Sequence, residues 1–492
     1  MSSDHRVIVV GGGLAGLAAA VKAADDGWQV TLLESRPRLG GATHSFTRDF
    51  EGGKLVVDNG QHVFLRCCTA YREFLRRLGV ADDAFLQARL EVPIADPVTG
   101  QRSRLKRDRL PAPLHLSRTL ATYGALSPLN RLRAIWGALA LKYVDREAAS
   151  SDQRSFGDWL RAHRQNRVTI ERLFDIFTVA TLNAHADEAS LRLGAMVFQD
   201  GLLRDAGACD IGYARVPLGE LHGDAARRVL ASAGADIRLR TRVRAIDRAG
   251  HRWLVHTDDE VLSADAVVLA TPHDVAAELL PRDLVGADVA DAPKQLATSP
   301  ILNVHVVYDR TVLAEPFIAA VESPVQFVFD RTHASGLRDG QYIAVSVSAA
   351  DDWINRPVSE LREVFIPELA RVLPATRNAV IRDFFVTRER TATFRPAPGS
   401  AAYRLTTQTP AEGLFVAGAW TDTGWPATME GAVRSGLAAA EQLRQLRQLK
   451  RLSGGSFGIS SPPERLTRHD DGNGSVRERA ARAGESAEEA LA

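Results

Sequence analysis

Three glycines spaced G-x-G-x-x-G (Gly11, Gly13 and Gly16) and an acid at Glu34 are the residues of this chain best placed to bind a charged ligand. Each glycine answers a different steric need. Gly11 lets the chain turn sharply out of a strand, Gly13 lets backbone approach a pyrophosphate, and Gly16 lets a helix pack closely on a sheet. The first turn of that helix, Leu14, Ala15 and Gly16, would aim orphan N–H groups and the positive helix end at phosphate oxygens. Glu34 follows at about the 20-residue spacing of a carboxylate that accepts ribose hydroxyls, with Ser35 and Arg36 beside it. The pattern is that of an adenine-dinucleotide site, and the fingerprint alone leaves NAD and FAD both open.

The elements that must position these residues are written around them. Val7–Val10 is an apolar run of strand length, Ala18, Ala19, Ala20, Ala23 and Ala24 make a thin helix, and Gly27 is its natural stop. Trp28–Leu33 then supplies a second strand ending at the acid. Further on, Leu55–Val57 reads as a strand running into the turn Asp58-Asn59-Gly60. That turn would carry Gln61, His62 and Phe64 to the end of the sheet, the ligand edge of open α/β folds.

Composition narrows the class. With 492 residues, 45% of them hydrophobic, the chain has room for two or three domains and a large core. A formal net charge of +1 gives no reason to expect nucleic acid. Three cysteines, Cys67, Cys68 and Cys209, form neither a disulfide framework nor a metal pattern. The nucleotide motif begins so near Met1 that no signal peptide is expected before it, and no window holds the roughly eighteen apolar residues of a spanning helix. A cytoplasmic protein is the expectation.

Along the chain, Tyr71–Leu78 reads as an amphipathic helix leaving the nucleotide domain. Leu110–Val144 repeats apolar residues at helical spacing, punctuated by Arg118, Arg131, Arg133 and Lys142. Such a segment can lie in a membrane surface, line an apolar pocket or pair helices in a core. Helical patterning continues through Phe156–Leu191. Then follow a helix at Glu220–Ala233, one alternating strand over 234–246, and strands at Trp253–His256 and 266–271. Leu302–Tyr308, Val325–Phe329 and Gln341–Ser348 predict an antiparallel sheet. Ser359–Leu373 predicts a helix kinked at Pro367, 414–420 a buried strand, and about 430–446 a helix. The residues beyond 446 form a polar tail expected to lack order.

Four separated stretches resemble one superfamily, that of the flavin amine oxidases and carotenoid desaturases. Arg38-Leu39-Gly40-Gly41, followed by Ala42, is similar to its R-x-G-G extension, which implies FAD. Arg240–Ile246 resembles the strand whose valine backbone meets the adenine, making Val243 the candidate. Leu269-Ala270-Thr271-Pro272 resembles the strand end before the chain re-enters the substrate domain. Leu414–Gly436 resembles the closing FAD motif, implying roles for Gly418, Ala427, Thr428 and Gly431. One departure stands in that motif: Ala419 occupies the place where the superfamily carries an acid on the ribityl chain, and Asp422 is the nearest substitute.

A finer resemblance is to the hydroxysqualene dehydroxylase family of bacterial hopanoid pathways, carried by Asp58–Tyr71, with Gly60 and Gln61 toward the cofactor, and by Trp420–Gly436. The first stretch also resembles the G-x-H-x-F segment of plant-type phytoene desaturases. The implied fold is α/β (α+β overall), a Rossmann-like FAD-binding domain of the flavin amine oxidase type with an inserted substrate domain of helices and an antiparallel sheet. The implied division is 1–66, 210–272 and 386–446 for FAD, 67–209 and 273–385 for substrate, and 447–492 for the tail. The implied reaction is reductive removal of an allylic hydroxyl from hydroxysqualene, an apolar isoprenoid, with hydride from reduced flavin. An electron donor and peripheral contact with the inner face of a membrane go with it. His62 is then the catalytic acid, since imidazole titrates near neutrality; the alternative is that it only hydrogen-bonds flavin or backbone. Asp58, His185, Asp422 and Glu430 rank lower, with solvated or capping roles, Glu430 at the start of its own helix. Isoprenoid desaturation and amine oxidation remain the alternatives on the same fold.

Overall fold

Short runs of valine and leucine form a parallel sheet here because both of its faces are covered, so that most side chains of its inner strands are buried. In the computed structural model, which describes residues 5–454, this sheet runs Asp236–Leu239, Gln29–Glu34, Arg6–Val10, Ala266–Leu269, Leu414–Val416. The helix Leu14–Asp25 connects the two strands at the amino-terminal end. The long helix Met429–Gly454 packs against it so closely that a Cβ on Gly436 would overlap the Ala15 carbonyl oxygen. The fold class expected from the sequence is the one found.

The expected single strand over 234–246 is in fact two. Arg240 adopts φ 55°, a left-handed conformation, and divides Asp236–Leu239 from Val243–Ala249. The break has a local cause: Arg240 N donates to Arg36 O (3.1 Å) and Thr241 N to Glu34 O (2.9 Å), tying the connection to the end of the neighbouring strand. Val243–Ala249 then joins Arg252–Thr257 and Val261–Ala264 in an antiparallel sheet of its own. The strand expected over 414–420 likewise ends at Val416, because Gly418 turns the chain with φ 152°.

A seven-stranded sheet runs Ile381–Phe394, Thr298–Tyr308, Gln341–Ser348, Phe327–Asp330, Phe317–Ala320, Glu91–Asp96, Gln101–Lys106. It is antiparallel except between Phe317–Ala320 and Glu91–Asp96. Its first strand runs without interruption through residue 386, where the sequence reading had placed a boundary. Leu302, Val304, Val306, Val345 and Val347 pack one face against Leu361, Phe365 and Leu369 of the helix Val358–Val372, which accommodates Pro367.

The apolar segment after Leu110 resolves into a turn at Leu114–Leu116 and the helices Ser117–Thr122 and Pro128–Leu141. The second starts as chemistry dictates: Ser127 Oγ accepts from Asn130 N (3.4 Å) and proline takes the first helical position. Three π-helical turns follow, at Ile170–Phe174, Gln199–Leu203 and Glu220–Asp224. Residues up to Gln448 form one compact unit, and a second begins at Leu449. The residues from 447 to 454 continue the last helix rather than a tail, and the remainder of the expected tail lies outside the described residues. Among the described residues, no helix is long and apolar enough to cross a membrane.

A buried ion pair joins distant parts of the chain. Arg331 Nη2 donates to Asp58 Oδ2 (2.6 Å), while Asp58 Oδ1 accepts from Ser45 Oγ (2.6 Å) and Leu218 N (2.9 Å). Asp58 is therefore not solvated: it holds Arg331 and, as a capping role would have it, accepts from the first N–H of the helical segment that begins at Leu218. Replacing Asp58 by alanine strands the Arg331 guanidinium without its counter-charge, and urea unfolding should show a loss of about 3–5 kcal/mol; a loss under 1 kcal/mol would mean that the pair carries little.

Candidate active site

The glycine turn is held open by backbone contacts. Gly11 has φ 108° and Gly40 φ 104°, and Gly40 N donates to Gly12 O (2.8 Å), which lays the second loop beside the first. A Cβ on Gly41 would lie 2.8 Å from Gly13 Cα, whereas one on Gly13 would meet nothing nearer than Gly41 Cα at 3.8 Å. The face at Gly13 is thus open to a ligand. Gly13 caps the helix without a side-chain bond, so the N–H groups of Leu14, Ala15 and Gly16 have the dipole's positive end to themselves. Ala270 closes the back of the turn: its N–H donates to Val10 O (2.8 Å), and its carbonyl is what a side chain on Gly11 would strike.

Glu34, only 8% exposed, is already oriented. Its Oε2 accepts from Gly12 N (2.7 Å), and its Oε1 from Arg36 N (2.7 Å) and Ser35 Oγ (3.2 Å). Each carboxylate oxygen can accept further bonds. Arg38 Nε, Gln61 Nε2 and Thr271 Oγ1 are buried without a hydrogen-bond partner. An uncompensated guanidinium nitrogen just before the open Gly13–Gly41 face suits a pyrophosphate, and the held carboxylate suits a ribose. These residues fit a dinucleotide.

The closing loop reaches the same edge by other means. Trp420 Nε1 donates to Thr271 O (2.9 Å), pinning the loop to the end of the Ala266–Leu269 strand. Gly418 N is spent on Ser435 Oγ (2.8 Å) and Gly431 N on Thr428 Oγ1 (3.1 Å), so Gly418 contributes its turn and Thr428 a helix cap rather than free donors. Ala427 is half-buried between them. Asp422 faces two arginines, Arg192 (3.7 Å) and Arg404 (3.9 Å). The structure ties it to those cations and not to the glycine turn. Val243 is buried at the first position of its strand, opposite Thr257.

His62 lies next to the cofactor loop, its ring on the Ala42 carbonyl. Its pKa is lowered, chiefly by burial; Asp58 pulls it upward and the Arg331 guanidinium adds to the downward push. At neutral pH the ring is therefore mostly uncharged, with one N–H to offer. Gly60 beside it has no Cβ; one there would lie 3.5 Å from His62 Nε2 and 3.7 Å from Asn303 Nδ2. His185 is elsewhere, half-exposed and paired with Asp175 (3.1 Å), which raises its pKa. Glu430 stands in the first turn of its own helix, as expected, and also caps another: it accepts from Ala70 N (3.2 Å) and Tyr71 N (2.7 Å) at the start of Thr69–Leu78.

An apolar cavity completes the picture. It is lined by leucines, alanines and three phenylalanines, and its one hydroxyl, on Thr119, is satisfied by Lys106 N (2.9 Å) and Arg104 O (3.3 Å). Two of the π-helical turns supply Leu173, Phe174, Leu202 and Leu203 to its wall. Gly201, next to Leu202, has Leu65 as its neighbour, three residues after His62.

Residues 14–444 match the family described as flavin containing amine oxidoreductase. The chain belongs to that family. Its cofactor is therefore a flavin, and the dinucleotide cradle with Glu34 makes it FAD; the protein is an FAD-dependent oxidoreductase. The chain is 28% identical to the hydroxysqualene dehydroxylase of Sinorhizobium fredii over 444 residues, covering 89% of this chain and 97% of that one. With the hydroxysqualene dehydroxylase of Rhodopseudomonas palustris it shares 29% over 451 residues, 89% and 98% of the two chains. The 15-cis-phytoene desaturase of Capsicum annuum is 25% identical over 464 residues, 89% of this chain and 78% of that one. Among solved structures, putrescine oxidase bound to putrescine superposes with a TM-score of 0.64 at 20% identity, over 89% and 99% of the chains. Cyclohexylamine oxidase from Brevibacterium oxydans gives 0.65 at 20% identity, over 91% and 100%. These two share the fold.

Within this flavoprotein, sequence reasoning missed some residues of the site. Arg331 is isolated in its segment, yet it adds to the lowering of the His62 proton affinity. Arg404, buried, donates to Trp420 O (3.1 Å), Thr421 O (2.6 Å) and Trp425 O (2.7 Å), holding the closing loop by its carbonyls. His222, fully buried, meets Tyr71 Oη at 2.7 Å; burial brings its pKa down to about 3, and nearby His62 adds to that. Only Arg404 had a traceable signal, standing just before a run rich in turn residues.

Glu34→Ala should weaken FAD binding at least tenfold, a cost of about 1.4 kcal/mol or more, because it removes the ribose acceptor and frees Gly12 N and Arg36 N. Titration of the apoprotein by flavin fluorescence measures it, and an unchanged affinity would take Glu34 out of the site.

Proposed function

We propose that this enzyme removes the allylic hydroxyl of hydroxysqualene reductively, releasing squalene and water. The likeness over nearly the whole length to hydroxysqualene dehydroxylases of two bacteria carries this reading. The chemistry that FAD supplies when bound and reduced is hydride donation from N5. The chain has three tasks: to bind the cofactor through Gly11–Gly16, Glu34 and Arg38, to keep water away from the reacting carbon, and to protonate the departing oxygen. In balance, a C–O bond breaks, a C–H bond forms, and hydroxide leaves as water once it gains a proton.

His62 is the residue for that proton. It stands at the cofactor loop and reaches the Ala42 carbonyl, and a proton delivered in place is worth about 10²–10⁴-fold in rate. The cavity lining offers no hydrogen-bond partner beyond an already satisfied threonine, which suits a hydrocarbon and would leave an ammonium group without an acceptor. Desaturation of a phytoene-type isoprenoid is the second reading, supported by the likeness to the Capsicum annuum enzyme. Division into FAD segments 1–66, 210–272 and 386–446 and substrate segments 67–209 and 273–385 belongs to the proposal, as do an electron donor for FAD and contact with a lipid phase.

Incubating the FAD-loaded enzyme anaerobically with hydroxysqualene and a flavin reductant should give squalene by mass spectrometry. A loaded enzyme that makes none, yet dehydrogenates a polyene or an amine, overturns the assignment. His62→Ala should keep FAD and lose at least tenfold in turnover. Because burial lowers the His62 pKa from its ordinary value, its imidazolium is populated at more acid pH than that of a free imidazole. The kcat/KM of the native enzyme should therefore fall as pH rises through a value under 6.5, and the variant should lack this limb; an identical profile would remove His62 from proton transfer.

A further inference from the structure

Seven of the sixteen large apolar side chains left exposed among the described residues fall within Leu110–Tyr143: Leu110, Leu114, Leu129, Leu132, Trp136, Leu139 and Tyr143. The last five follow one another at alternating steps of three and four, so they share one side of the helix Pro128–Leu141 and its extension. Their exposure ranges from 43% at Leu139 to 81% at Tyr143. The opposite side of the same helix, through Asn130, Ala134, Gly137 and Leu141, is buried, and Ala134 and Ala138 line the apolar cavity. One helix thus separates that cavity from an apolar outer face.

The charge on this face is one-sided. Leu110–Tyr143 contains Arg118, Arg131, Arg133 and Lys142 and no aspartate or glutamate, although acids and bases are nearly equal in number over the whole chain. Arg131 is engaged, donating to Tyr123 O and Leu126 O at 2.9 Å, which fixes the turn between the two helices. Arg118 and Lys142 are exposed. Exposed Asp145 and Glu147 lie just beyond the segment, but along the stripe itself the exposed charges are the cations Arg118 and Lys142, and an apolar face bordered by cations complements an anionic lipid surface. Trp136, the one exposed tryptophan among the described residues, stands in the middle of the stripe.

We propose that this face docks on an anionic lipid bilayer with the helix Pro128–Leu141 at the acyl boundary, so that a hydrocarbon substrate reaches the cavity from the bilayer and not through water. The inference rests on the isoprenoid reading above, but its first readout does not. The FAD-loaded full chain should co-sediment with vesicles of an equal mixture of phosphatidylcholine and phosphatidylglycerol, bind at least tenfold less to phosphatidylcholine alone, and lose tryptophan fluorescence to brominated acyl chains. Trp136→Phe should abolish most of that quenching. Leu132→Glu with Leu139→Glu should cut vesicle binding at least tenfold and turnover of vesicle-borne substrate in proportion, with FAD content and turnover of detergent-dispersed substrate unchanged. Arg118→Glu with Lys142→Glu, which leaves the apolar packing alone, should remove the preference for anionic vesicles. Vesicle binding equal in native and variant proteins, absence of binding, or a dimer that depends on Leu132 and Leu139 would overturn the proposal. Vesicle binding without squalene formation would instead overturn the substrate assignment and leave the docking face standing.

Discussion

Backbone touches backbone at the centre of this molecule with nothing between. A Cβ at Gly16 would overlap the Gly11 carbonyl oxygen, one at Gly11 the Ala270 carbonyl, and one at Gly436 the Ala15 carbonyl. These three positions bring a strand turn, a helix start and a second helix into contact distances that any side chain would forbid. The consequences spread outward. With the turn so tight, the helix Leu14–Asp25 must begin where it does, its open first turn lies beside the Gly40–Gly41 loop, and the carboxylate of Glu34 falls under Gly12. The site is in this sense a by-product of packing.

Electrostatics in the neighbourhood are arranged by residues that hold structure first. Asp58 and Arg331 neutralise each other inside the protein, yet both bear on His62, one raising its proton affinity and the other lowering it. Arg404 and Glu430 play comparable parts, the first gathering three carbonyls of the closing loop and the second capping the helix that follows His62. A cation or an acid placed this way costs desolvation that only several simultaneous bonds can offset. None of them needs to touch a ligand to matter.

Local features of the sequence were readable wherever one short stretch contains its own reason. The G-x-G-x-x-G turn, its flanking strands, the alanine-rich helix and Glu34 could be read because turn sterics, periodicity and spacing act within about thirty residues. The same holds for Gln341–Ser348 and for the helix near Val358. What escaped depended on partners far along the chain. The strand near 240 breaks because Arg240 N and Thr241 N answer to carbonyls at residues 36 and 34. Asp58 needed Arg331, hundreds of positions away, before its role could be seen, and Glu430, read as complementing the start of its own helix, stands in that first turn but also caps the distant helix Thr69–Leu78. Periodicity also merged Ser117–Thr122 and Pro128–Leu141 into one apolar segment, since both faces of the second helix are apolar and the pattern does not say which face is inside.

The π-helical turns in the cavity wall give this protein an unusual means of change. Each accommodates one residue more than an α-helical turn would, and an α-helix rotates by about 100° per residue. Deleting a single residue from Gln199–Leu203 would restore ordinary winding and swing Leu202 and Leu203 away from the space that they now border. The shape of the cavity wall is therefore set by residue count as well as by side-chain size, and losing one amino acid there would reshape it without any change in hydrophobic composition.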